Sequence, residues 1–161
     1  MRGLTSLTAG LALLTAAWGC GKDPAAPIQP VVTSLSCEDG ATPGSYVGCT
    51  LKLTAPAGFK VRLVSSECRA HGNVFRITAP VVDTLVKDGC YAAIGTEIIH
   101  AEPFQANTEI SAEVIAPLLD HPPQLRVTGN YSDGWTLTYE DGEDDDFNDL
   151  VLVLTAIPQA P

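Results

Sequence analysis

Hydrophobic and polar residues alternate along most of the chain after residue 31, with a period of two. The segments 60–63 and 108–114 alternate cleanly, and Trp135, Leu137 and Tyr139 share one face of a third segment. This period, with its many β-branched and aromatic residues, is typical of half-buried β-strands. The pattern therefore predicts a chain built from strands, with no convincing amphipathic helix.

Turn-forming residues such as Asp39-Gly40 and Pro43-Gly44 separate these segments at short intervals. The pattern and the turns together predict strands near residues 31–37, 46–54, 59–65, 73–78, 81–86, 96–101, 108–115, 124–131, 134–140 and 147–156. About nine or ten short antiparallel strands joined by turns predict an all-β domain, a β-sandwich or jelly-roll-like fold, over residues 31–161.

The first residues have the pattern of an export signal. Arg2 is the only charge before the apolar run 4–17, which is too short for a membrane-spanning helix. The run ends in Ala17-Trp18-Gly19-Cys20, which resembles a bacterial lipoprotein signal, in which the cysteine becomes the lipidated first residue. We therefore predict a signal peptide at 1–19, lipidation of Cys20 and a proline-rich tether at 20–30. Ordinary secretory cleavage after Gly19 is the alternative.

The predicted location is the cell envelope, with membrane attachment through the lipid anchor. Gly21 follows the cysteine, and by resemblance to lipoprotein sorting in Gram-negative bacteria this implies the outer membrane. The net charge is −10, and no lysine or arginine follows Arg126. Such a charge argues against nucleic acid and against anionic lipid surfaces as partners.

Four further cysteines agree with export: Cys37, Cys49, Cys68 and Cys90. An even number in an exported chain indicates two disulfides, for which three pairings are possible. We favour Cys37–Cys49 with Cys68–Cys90, because each bridge would then join neighbouring strands. A four-thiolate zinc site is the alternative, but the sequence has no C-x-x-C pair and the compartment is oxidising.

Residues 139–149 carry seven carboxylates within eleven residues and lead directly into an apolar strand. Asp144-x-Asp146-x-Asn148 places three oxygen ligands at alternate positions, as in the first half of an EF-hand loop. The turn glycine and the later glutamate of an EF-hand are missing, so this would be a different kind of loop. Oxygen-only ligands favour calcium. The alternative is a solvated acidic hairpin tip.

The same residues resemble a known family signature. E-D-x-x-D-x-D-F-N-D-L-V, residues 140–151, is similar to the motif of a C-terminal domain family of unknown function in bacterial exported and surface proteins. That family is predicted to be a β-sandwich with a calcium site in this motif. The resemblance covers about twelve residues and implies no enzymatic activity. It implies that the metal ligands are among Glu140, Asp141, Asp144, Asp146, Asn148 and Asp149.

No catalytic motif of the G-x-S-x-G, H-E-x-x-H or phosphate-loop kind occurs in the sequence, and we predict no enzyme. The predicted function is a non-enzymatic cell-envelope lipoprotein whose calcium-stabilised β-sandwich serves surface structure, adhesion or binding of a glycan or surface protein. The alternative is a carbohydrate-binding module that uses Trp135 and Tyr139 at an exposed face, although the same alternation fits core packing. Phe147, between candidate ligands, is predicted to pack beneath the loop.

Overall fold

The computed structural model describes residues 32–68, 72–100, 102–117, 119–142 and 144–159. The predicted signal peptide at 1–19, Cys20 and the tether at 20–30 lie outside these residues. Across the described ranges, no helix has the length and hydrophobicity needed to cross a membrane.

The described residues form ten β-strands, and each corresponds to one predicted from the sequence. In chain order they are β1 Val32–Asp39, β2 Tyr46–Leu53, β3 Ala57–Ser65, β4 Val74–Ala79, β5 Asp83–Val86, β6 Glu97–Ile99, β7 Glu109–Ile115, β8 Gln124–Asn130, β9 Gly134–Glu140 and β10 Leu150–Pro158. Every strand pairing among them is antiparallel. The all-β prediction is confirmed.

The strands form one folded sheet in the order β5-β4-β7-β2-β8-β9-β10-β3-β6, with β1 added beside β2. The pairing between β2 and β8 is short. Among the described residues, it consists of one pair, Tyr46 with Leu125. The sheet divides there into two halves, β1-β2-β7-β4-β5 and β8-β9-β10-β3-β6. Phe75 of β4 and Tyr139 of β9 meet across the interior with ring centroids 6.4 Å apart. The two halves therefore enclose one core.

The core is made of the inward-facing residues of both halves, which alternate with exposed ones because strands are pleated. In β3, Val61 and Leu63 are fully buried while Arg62 between them is exposed. Each such burial contributes about 1.5–3 kcal/mol. A small apolar cavity of about 40 Å³ lies between the halves. The largest fully buried apolar side chains are Leu53, Phe59, Val61, Leu63, Phe75, Leu150 and Leu152.

The favoured disulfide pairing is confirmed. Cys37–Cys49 crosses between β1 and β2, where the two residues are registered opposite each other. Cys68–Cys90 joins the segment after β3 to the segment after β5, so it links loops and not neighbouring strands. Each should stabilise the fold by about 3 kcal/mol in the chain-entropy model. Since all four sulfurs are paired, the four-thiolate zinc alternative is excluded.

The last strand begins later than predicted, at Leu150 and not at Phe147. Asp145 and Phe147 have φ angles of 57° and 59°, in the left-handed region that strand residues do not adopt. The chain therefore turns through these residues before it can extend. The acidic segment forms a loop between β9 and β10, which we call the acidic loop; its described residues are 141–142 and 144–149.

Candidate metal centre

The acidic loop joins two strands that lie side by side, so its two ends meet. Tyr139 of β9 is paired with Leu150 of β10, which places Glu140 and Asp149 together at the base of the loop. Their exposed fractions are only 2% and 5%, although carboxylates are seldom buried without a partner. The fold therefore holds two acidic side chains next to the core.

Hydrogen bonds within the loop use these two carboxylates as acceptors. The backbone N–H of Gly142 donates to Glu140 Oε1 at 2.8 Å, and that of Phe147 donates to Oε2 at 3.0 Å. The N–H of Asp141 donates to Asp149 Oδ2 at 2.7 Å. The loop backbone therefore surrounds its own acidic side chains.

Three carboxylates converge at this point. One oxygen from each of Glu140, Asp144 and Asp149 lies within 4.8 Å of the other two. Burial raises the pKa of both Glu140 and Asp149, and the charges of neighbouring carboxylates raise it further, while the backbone N–H bonds oppose the change. Negative charge is therefore costly here unless a proton or a cation compensates it.

No salt bridge from a lysine, arginine or histidine within the described ranges reaches Glu140, Asp141 or Asp149. The side-chain donors of the cluster are all oxygens, which suits calcium, and calcium completes its six to eight ligands with backbone carbonyls and water. The residues present therefore fit a calcium ion held by Glu140, Asp144 and Asp149, with Asp141 beside them.

The remaining predicted ligands lie on the outer side of the loop. Asp146 is exposed and Asn148 half-buried. Asn148 Nδ2 donates to Asp146 Oδ2 at 2.8 Å and more distantly, at 3.4 Å, to Glu67 Oε2. The structure thus separates the three predicted ligands of the Asp144-x-Asp146-x-Asn148 motif. Asp144, although exposed, approaches the buried Glu140 and Asp149, while Asp146 and Asn148 pair with each other.

Asn73, which lies immediately before β4, also belongs to this region. Its side chain is fully buried and its Nδ2 donates to Asp141 Oδ2. Its Oδ1 is buried without a hydrogen-bond partner. The sequence pattern placed Asn73 at the start of the predicted strand 73–78 and did not indicate this role, because the contact joins residues 68 positions apart and no local spacing signals it.

Phe147 packs beneath the loop, as predicted. Its exposed fraction is 4%, and the guanidinium of Arg126 lies over its ring with Cζ 3.6 Å from the ring centroid. This cation–π contact connects β8 to the acidic loop. It gives the loop an anchor separate from the buried carboxylates.

Trp135 and Tyr139 are not on an exposed face, which corrects the alternative prediction. Their exposed fractions are 6% and 4%, and burial raises the pKa of the Tyr139 hydroxyl. Both follow the alternation of β9 towards the core together with Leu137. A sugar could not stack on either ring without opening the core.

A polar depression of about 360 Å³ lies across β1, β2, β4 and β7, and none of its lining residues belongs to the acidic loop. Thr50 Oγ1 and Ser111 Oγ lie 2.9 Å apart within it, and the Glu113 carboxylate at its edge pairs with Arg76 at 2.6 Å. Its polar side chains are Ser36, Glu38, Thr50, Thr78, Ser111 and Glu113. Hydroxyl and carboxylate groups of this kind can bind other hydroxyl groups.

A scan of the sequence against protein-family models finds no match, and a search among curated proteins finds none either. Among solved structures, the chain is similar to the lectin CV2L of Chromobacterium violaceum, determined in complex with alpha-methyl-fucoside. The sequence identity is 17% and the TM-score 0.42, over 74% of this chain and 100% of the lectin chain. A similarity of this size assigns neither a family nor a ligand.

Proposed function

We propose that this protein is a non-enzymatic, calcium-stabilised β-sandwich module of the cell envelope, exported and held at the membrane by a lipid on Cys20. The observation that carries the calcium proposal is the burial of Glu140 and Asp149 side by side, with Asp144 converging on them. The two disulfides and the signal-like N-terminus support an exported location.

Calcium is favoured over other cations by the chemistry of the donors. Magnesium demands near-ideal octahedral geometry and keeps several of its waters, whereas calcium accepts irregular sets of carboxylates and carbonyls. Zinc and copper prefer imidazole or thiolate ligands. The sulfurs nearest the acidic loop, Cys68 and Cys90, are joined in a disulfide, and no described histidine belongs to the cluster.

A calcium ion at this point would hold the base of the acidic loop closed. It would compensate the charge of Glu140 and Asp149 and so stabilise the β9–β10 hairpin. Exported modules commonly bind calcium with dissociation constants of about 10⁻⁴–10⁻³ M. The module would therefore be fully stable only where calcium is plentiful, which suits a role in surface structure or adhesion.

Thermal unfolding with calcium and with chelator tests the proposal. At a hundredfold excess over its dissociation constant, calcium should add about 2.7 kcal/mol to the free energy of unfolding. Asp149→Asn should abolish this gain. Asp120→Asn is the matched control, since that side chain is 98% exposed and lies outside the loop. A wild-type protein that melts identically with calcium and with chelator would refute the proposal.

A second candidate function is carbohydrate binding, at the polar depression and not at Trp135 or Tyr139. The lining of hydroxyl and carboxylate side chains supports it, because sugars are bound through such groups. A glycan array probed with the wild type and with Glu38→Gln tests it. Binding that is lost in Glu38→Gln but kept in Asp149→Asn would support this candidate, and no binding by the wild type would reject it.

A further inference from the structure

We propose that Asn73 is a positioning residue of the cation site, so that the site is built from two distant parts of the chain. This inference rests on the proposed calcium binding. Asn73 lies in the segment closed by the Cys68–Cys90 disulfide, which we call the disulfide segment, residues 68–90. No residue of this segment belongs to the acidic motif.

The backbone of Asn73 is fixed independently of its side chain. Its carbonyl oxygen accepts a hydrogen bond of 2.7 Å from the N–H of Gly89, at the other end of the disulfide segment. Gly89 packs so closely on β10 that a Cβ there would lie 2.5 Å from Leu150 Cδ1. Gly89 therefore lies against the start of β10, and its hydrogen bond to the Asn73 carbonyl fixes the position from which the Asn73 side chain contacts the acidic loop.

The side chain continues the row of buried polar groups. Asn73 Nδ2 donates to the carboxylate of Asp141, and the Asp141 backbone N–H donates to Asp149 Oδ2 at 2.7 Å. The Cys68 and Cys90 sulfurs lie within 4.8 Å of an Asp141 carboxylate oxygen. Asp141 is thus held between Asn73 and Asp149, and its exposed fraction is only 4%.

The unpaired oxygen of Asn73 indicates that more than packing is involved. A buried acceptor without a partner is unfavourable, and such atoms in folded proteins commonly mark a bound water or ion. The hydrogen bond from Gly89 is accepted by the Asn73 backbone carbonyl and does not involve the side chain. The amide is therefore explained by what it does for Asp141 and for the cation site.

Two variants of the full chain test the inference. Asn73→Ala removes the donor to Asp141 and should weaken calcium binding about 10- to 100-fold, as loss of groups that orient metal ligands usually does. Asn73→Asp adds a fourth buried carboxylate of the same shape. It should lower the melting temperature in chelator and give a larger calcium-dependent rise than the wild type shows.

Calcium affinity by isothermal titration calorimetry, with melting temperatures in calcium and in chelator, separates the possible roles. If both variants lose stability equally in the two conditions and bind calcium with wild-type affinity, Asn73 is only structural and the inference is wrong. If Asn73→Ala does not fold, Asn73→Asp alone decides between these results. If the wild type binds no calcium and Asp149→Asn has the same melting temperature as the wild type, the proposed function fails, and this inference fails with it.

Discussion

Replacement of Glu140 by glutamine probes the buried carboxylates at the base of the acidic loop. The change preserves the shape of the side chain but removes its charge. The Glu140 carboxylate accepts one backbone N–H on each oxygen, from Gly142 and from Phe147. Glutamine has a single acceptor oxygen, so one of the two bonds is lost.

The expected magnitude differs with and without calcium. Loss of one hydrogen bond costs about 1–3 kcal/mol, but removal of a buried charge beside Asp149 offsets part of that cost. In chelator, Glu140→Gln should therefore change the free energy of unfolding by no more than about 1 kcal/mol. In saturating calcium it should also forfeit the roughly 2.7 kcal/mol gained by the wild type.

Differential scanning fluorimetry measures this difference directly. For a domain of this size, 1 kcal/mol corresponds to a shift in Tm of about 3–5 °C. The difference in Tm between the wild type and Glu140→Gln should therefore increase by about 8–14 °C when chelator is replaced by calcium. A difference of equal size in both conditions would show that Glu140 only supports the loop backbone, and the charge argument for a cation would fail.

Three further predictions follow from other features. The folded state raises the pKa values of Glu140 and Asp149. In chelator, protonation of these two groups therefore stabilises the fold, and this stabilisation is complete below the unfolded carboxyl pKa of about 4. This stabilisation should be lost as the pH rises through the folded-state pKa values, and calcium should restore it. A urea unfolding midpoint in chelator that does not change from pH 4 to 7 would contradict this. Leu152→Ala should cost about 2–5 kcal/mol equally with and without calcium, because Leu152 is fully buried in the core and is not a residue of the acidic loop. Serine replacement of the Cys68–Cys90 bridge should lower both stability and calcium affinity in calorimetry, whereas replacement of Cys37–Cys49 should lower stability alone.

The strands could be predicted from the sequence because their signal is local. Alternation and turn residues identified all ten, and the left-handed residues Asp145 and Phe147 account for the late start of β10. The order of the strands in the sheet could not be predicted. The pairings of β2 with β7 and of β10 with β3 join distant parts of the chain, and no local pattern encodes them.

The candidate site was only partly visible in the sequence for the same reason. The family resemblance implied Glu140 and Asp149 as candidate ligands, but neither it nor the spacing could distinguish them from Asp146, which lies on the outer side of the loop. Alternation gave Trp135 and Tyr139 a shared face without showing that this face meets the core. Asn73 carried no signal, because its contact with Asp141 exists only once the disulfide segment packs on β10.

The position of β10 in the sheet has a consequence for how the chain assembles. β10 is hydrogen-bonded on both edges, to β9 and to β3, and it follows both of these strands along the chain. Until it is available, its half of the sheet consists of two separate pairs, β8–β9 and β3–β6, and isolated two-stranded pieces are marginally stable in water. Because the acidic loop lies at the start of β10, an ion bound there would act at the step in which β10 joins these two pairs. Under the proposed function, bound calcium would then hold β10 in place between its two neighbours.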